Sequence, residues 1–132
     1  MVTENLPVAL VSSAGGLIVT DADGDSLPVD PTTMDVDLPV LVQRDSLLLR
    51  LLGETQAEEP ALFARVSEAR RSGQGDVLLV LPEFRILADS AVSSARLAEV
   101  LPVELDAARR NWHPLELDLR FRDQVIVRLQ RK

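Results

Sequence analysis

The segment Asp21-Ala22-Asp23-Gly24-Asp25 holds the densest set of residues able to do chemistry. Alternating carboxylates invite a calcium reading, because a hard cation takes oxygen ligands. The twelve-residue calcium loop also needs glycine at its sixth position and glutamate at its twelfth. Counted from Asp21, Gly24 is fourth and Thr32 twelfth, so a hairpin turn between GLIVT and SLPV is the preferred reading. His113 is the single histidine and stands beside Trp112 in a polar stretch. A triad would also need a nucleophile and an orienting acid. Ser12 and Ser13 precede Gly15-Gly16 without a nucleophile-elbow pattern. No helix start follows those glycines, so they are no phosphate loop. A small hydrolase or metal-dependent enzyme could be assembled only from scattered carboxylates such as Asp21, Asp23 and Asp37, and no pair stands out among 21 acids.

Composition narrows the field further. With 132 residues, 46% apolar and 27% charged, the chain fits one globular domain. The net charge of −7 and the few rings (three Phe, one Trp, no Tyr) speak against nucleic acid. There is no cysteine, hence no disulfide or thiolate metal site. No apolar run approaches a membrane span, and the N-terminus lacks the pattern of a signal peptide.

The elements read as α+β. Leu6–Leu10 and Leu17–Thr20 predict strands, and Asp37–Val42 a short buried one. Asp45 or Ser46 caps a helix whose stripe is Leu47, Leu48, Leu51 and Leu52. A second helix starts at Pro60, buries Leu62, Phe63, Val66 and Ala69, and ends at Gly73. Val77–Leu87 predicts a hairpin turning at Pro82-Glu83, with Leu79 opposite Ile86. Asp89 or Ser90 caps a third helix, which Pro102 either ends or kinks.

The final segment, Leu115–Leu129, is the most orderly. Leu115, Leu117, Leu119 and Phe121 alternate with Glu116, Asp118, Arg120 and Arg122, the pattern of a half-buried strand. A two-residue loop would mix apolar and charged groups on each face. A three-residue loop (Arg122, Asp123, Gln124) sets Phe121 by Val125, Leu119 by Val127 and Leu117 by Leu129, all on one face. The other face then carries Arg120 by Ile126 and Asp118 by Arg128. We expect this register, although its loop lacks the glycine such loops favour. If Val125–Leu129 closes the sheet, its free backbone groups are open to a partner strand. Arg120 can take a partner carboxylate, its fork suiting two parallel bonds, and Ile126 is an apolar contact on a charged face. The alternative is that Arg120, Arg128 and Asp118 form a solvated face with a cross-strand ion pair.

These residues also carry a resemblance. The order ENLPVAL, IVTDADGDSLP, DLPVLV, ARLAEVLPVEL and LDLRFRDQVIVRL resembles the extracytoplasmic β-domain of the bacterial cell-division family FtsQ/DivIB. The resemblance spans nearly the whole chain, and LDLRF is its most telling piece. It implies a single, mostly antiparallel sheet with helices packed on one face and the C-terminal hairpin at the sheet edge. It implies a non-catalytic divisome scaffold without cofactors, nucleic acid or small-molecule substrate, anchored in the inner membrane with this domain on the extracytoplasmic (periplasmic) side. The partners implied are FtsB/FtsL (DivIC)-like proteins, bound by strand addition in septum formation. The implied contact residues are Arg120, Phe121, Val125, Ile126, Val127 and Arg128. A generic edge-strand adaptor shares the same physics. The family's membrane anchor and POTRA domain are absent from residues 1–132, so a longer parent protein is expected.

Overall fold

The computed structural model describes residues 6–33, 37–73 and 75–130. Strand β1 (Pro7–Ser13) turns at Ala14-Gly15 into β2 (Gly16–Asp21), and Gly16 takes φ +123 there. β3 is only Val40–Leu41. Helix α1 (Ser46–Glu58) starts at Asp45, whose Oδ1 accepts from Leu47 N (3.0 Å) and Leu48 N (3.3 Å). That cap satisfies two donors the helix cannot pair internally. α2 is the single turn Pro60–Phe63. β4 (Glu68–Ser72), β5 (Asp76–Val80) and β6 (Arg85–Ala88) form a meander. α3 (Ser94–Ala98), capped by Ser93, leads into α4 (Val100–Arg109), and β7 (Pro114–Asp118) and β8 (Ile126–Leu129) close the chain.

One eight-stranded mixed sheet results, in the order β2-β1-β3-β4-β5-β6-β7-β8. The domain is α+β as expected. Four pairings are antiparallel, and three (β1 with β3, β3 with β4, β6 with β7) are parallel. Register places Ala69, Leu79, Ile86, Leu117 and Val127 in one row across β4–β8. That row joins Leu48, Leu49, Leu52, Leu62, Leu97 and Val100 of the helices in a single core. The neighbouring row faces the other way and reads Glu68, Val80, Arg85, Glu116 and Arg128. Strand alternation therefore separates an apolar face from a charged one.

The hairpin turning at Pro82-Glu83 matches expectation: Leu79 pairs with Ile86, and Leu81 N donates to Phe84 O at 2.9 Å. The helix predicted from Pro60 to Gly73 does not. It stops at Phe63, and Glu68–Ser72 is a strand on β5. Val66 and Ala69 are buried, but Val66 lies in the turn that follows Phe63 and Ala69 in β4, and Gly73 (φ +56) serves the turn into β5. Pairing with β5 overrides the helical spacing of those residues. Pro102 lies in the first turn of α4, where no intrahelical donor is missed. The strand expected at Asp37–Val42 shrinks to two paired residues.

Candidate functional site

Among the described residues, β8 lies at the sheet edge and pairs only with β7. Two observations fix which of its backbone groups are free. Gln130 N donates to His113 O at 3.0 Å, and Leu119 N on β7 turns the other way, to Leu87 O at 2.7 Å. With Asp118 opposite Ile126 and Glu116 opposite Arg128, the amides of Ile126 and Arg128 face β7. Those of Val127 and Leu129 face outward. Among the described residues, nothing pairs with that outer edge. The opposite edge of the sheet, β2, is partly covered: Thr20 bridges Ser26, and Leu27 N donates to Val19 O at 2.8 Å.

The register differs from expectation by two residues. Leu117 faces Val127 rather than Leu129, and the connection runs from Leu119 to Val125. A slip of two leaves every side chain on its face, so the apolar pattern alone could not detect it. The longer loop escapes the tight three-residue turn, which favours a left-handed glycine that this sequence lacks. Phe121, expected inside, is 41% exposed in this loop, and Leu129 is exposed as well. Val125, Ile126 and Val127 are half-buried.

Arg96 of α3 holds the loop. Its Nη2 reaches the carbonyls of Leu119 (3.2 Å), Phe121 (2.6 Å) and Gln124 (2.8 Å), and its Nη1 bonds Glu99 Oε2 at 2.8 Å. Nothing in the sequence around Arg96 marks this role. Its partners lie 23 to 28 residues away, and no local pattern announces them. A hydrogen bond to a charged group is worth about 1.5–3 kcal/mol. Arg96→Ala is therefore expected to speed amide exchange in residues 119–125 at least about tenfold while the β5–β6 amides keep theirs. Hydrogen exchange followed by NMR reads this directly.

Arg120, read as able to take a partner carboxylate, is already paired within the chain. Its guanidinium forks onto Asp118 (Nε to Oδ1 3.0 Å, Nη2 to Oδ2 2.8 Å) and reaches Asp76 Oδ2 at 3.1 Å. The turn of the chain after β7 brings its side chain back over the charged face. Arg128 joins the same group, with Nη1 at 2.9 Å from Asp118 Oδ2 and 2.6 Å from Glu116 Oε2. Arg85 Nε completes it at 2.9 Å from Glu116 Oε1. Cations and anions alternate in a neutral chain from β5 to β8. Asp118 is fully buried at its centre. Burial works against its charged form. The side-chain and backbone hydrogen bonds from Arg120, and those from Arg128, outweigh it and hold the carboxyl at about 2, below its ordinary 3.8. The network ties the charged face of the hairpin to β5 and β6 and uses none of the outward backbone groups of β8.

His113 is exposed and its ring has no hydrogen-bond partner among the described residues. Asp21 and Asp23 share a turn, whereas Asp37 lies at a separate groove with Leu10, Leu38 and Val40. Asp37 therefore joins no common site with them. No helix among the described residues is long and apolar enough to cross a membrane.

No protein-family model matches the chain, and no curated protein matches it in sequence. Among solved structures it is similar to the major extracytoplasmic domain of the bacterial cell-division protein DivIB from Geobacillus stearothermophilus, in its trans isomer. The two share 19% identity at a TM-score of 0.56, over 83% of this chain and 98% of that one. The eight-stranded α+β domain with β8 at its rim thus has the fold of the DivIB extracytoplasmic domain.

Proposed function

We propose that this domain is a non-catalytic scaffold of bacterial cell division that receives a partner strand on β8. The observation that supports the reading is the asymmetry of the two sheet edges: β2 is partly covered by Ser26 and Leu27, whereas β8 presents the amides of Val127 and Leu129 with no partner among the described residues. Edge strands left open in this way are templates for β-augmentation. The partner class is a C-terminal segment of an FtsB/FtsL (DivIC)-like division protein. Phe121, exposed beside the hairpin, offers it an aromatic contact, and Ile126 offers an apolar one amid the charged face. Ile126, Val127 and Arg128 supply the strand, with Val125 at its entrance. Arg120 and Arg128 act by holding that strand flat through Asp118 and Glu116. In this reading the domain sits on the extracytoplasmic side of the inner membrane and acts in septum formation.

The test is amide hydrogen exchange of the chain titrated with such a segment. Protection of Val127 and Leu129 is expected, with Ile126 and Arg128 little changed because they already pair with β7. Protection confined to β2, or none at saturating peptide, would sink the assignment of the edge.

A further inference from the structure

The Asp21–Asp25 turn is more than a connection. Asp21 ends β2 and is 2% exposed. Its Oδ1 accepts from Asp23 N (3.0 Å) and Asp25 N (2.8 Å), while its buried Oδ2 has no hydrogen-bond partner among the described residues. A buried, unsatisfied carboxylate oxygen is costly and rare. One carboxylate oxygen each from Asp21, Asp23 and Asp25 lie within 4.8 Å of one another. Oxygens bound at 2.3–2.6 Å around one calcium ion span at most about 5 Å, so the spacing fits a shared ion. None of the three acids forms an ion pair among the described residues. Arg44 is near, but its Nη2 goes to Ser26 Oγ at 3.3 Å.

The turn is also held in place. Gly24 takes φ +88, and Gly53 of α1 lies so close that an added Cβ would stand 2.5 Å from Ala22 Cβ. A helix backbone thus backs the loop while Asp23 and Asp25 remain exposed.

We propose that this turn is a low-affinity calcium site, with Asp21, Asp23 and Asp25 as its protein ligands and water filling the remaining positions. Its spacing of acids at first, third and fifth place follows the calcium-loop pattern, and the absence of the bidentate twelfth ligand limits its strength. Calcium is favoured over magnesium, which demands a tighter octahedron and gives up its waters reluctantly.

Calcium chloride titrated into the 132-residue chain, followed by calorimetry and amide NMR shifts, tests this. Saturable binding with a dissociation constant of about 10⁻⁴–10⁻³ M is expected, with shifts confined to residues 21–27. Both should vanish in the Asp23→Asn/Asp25→Asn variant, whose melting temperature without calcium should match the parent because both side chains are exposed. No localised shift up to about 10 mM calcium, undiminished binding by the variant, or equally tight magnesium binding would overturn the proposal.

Discussion

The Arg120→Ala/Arg128→Ala double variant is expected to lose stability near neutral pH and to recover most of that deficit, relative to the parent, as the solution is acidified. The cause is Asp118, fully buried and bound by both guanidiniums. Its folded-state value of about 2 lies below the ordinary 3.8. The folded parent therefore resists protonation more than the unfolded chain does. That contribution is complete above about pH 4 and is lost as pH falls from 3.8 through 2. A shift of this size corresponds to on the order of 1–2 kcal/mol once solvent screening at the partly exposed arginines is discounted. Without them burial remains and favours the neutral acid, so protonation no longer costs the fold its charge pairing. Urea unfolding of both proteins from pH 7 down to about pH 2 checks the sign. A deficit that stays constant across that range would mean that the arginine stems matter through packing and their charges do not.

How much of this could be read beforehand depends on the range of the interaction. Asp45 as a helix cap and the Leu79–Ile86 pairing were legible, because each is decided by residues within a few positions of one another. The fate of Glu68–Ser72 was not. Its spacing suits a helix after Pro60, and only the adjacent β5 makes extended pairing the better solution. β3 was equally opaque in extent: its two residues pair in parallel with strands that begin about thirty positions away on either side. At the candidate site, the faces of β7 and β8 were legible and their register was not. Parity repeats every two residues, and a slip of two costs nothing in apolar pattern. The same slip hid the network. In the expected register Arg120 stands across from Ile126, whereas the chain folds it back onto Asp118 two residues earlier. Asp76 and Arg85 enter from strands whose order in the sheet no local pattern sets.

Val127→Pro is expected to weaken capture of an FtsB-like strand at least about tenfold, which is about 1.4 kcal/mol, while leaving the domain folded. Val127 stands in the middle of β8 with its amide turned away from β7, so proline there removes no hydrogen bond of the native sheet. Proline is tolerated on edge strands for this reason. Its ring occupies the place where a partner carbonyl must come, and one outward donor is lost. A single net hydrogen bond is worth about 0.5–1.5 kcal/mol, and the steric clash adds to it. The half-buried Val127 side chain packs at the margin of the core, so a modest fall in melting temperature is expected and is not diagnostic. Leu17→Pro supplies the control. Leu17 is exposed on β2, opposite Ser12, with its amide facing outward by the same alternation that turns Val19 to Leu27. It cripples the other rim of the sheet by the same chemistry. If β8 is the docking edge, the Leu17 variant binds as the parent does and the Val127 variant does not. Equal losses would point to a general loosening of the sheet, and a loss confined to Leu17→Pro would move the docking edge to β2.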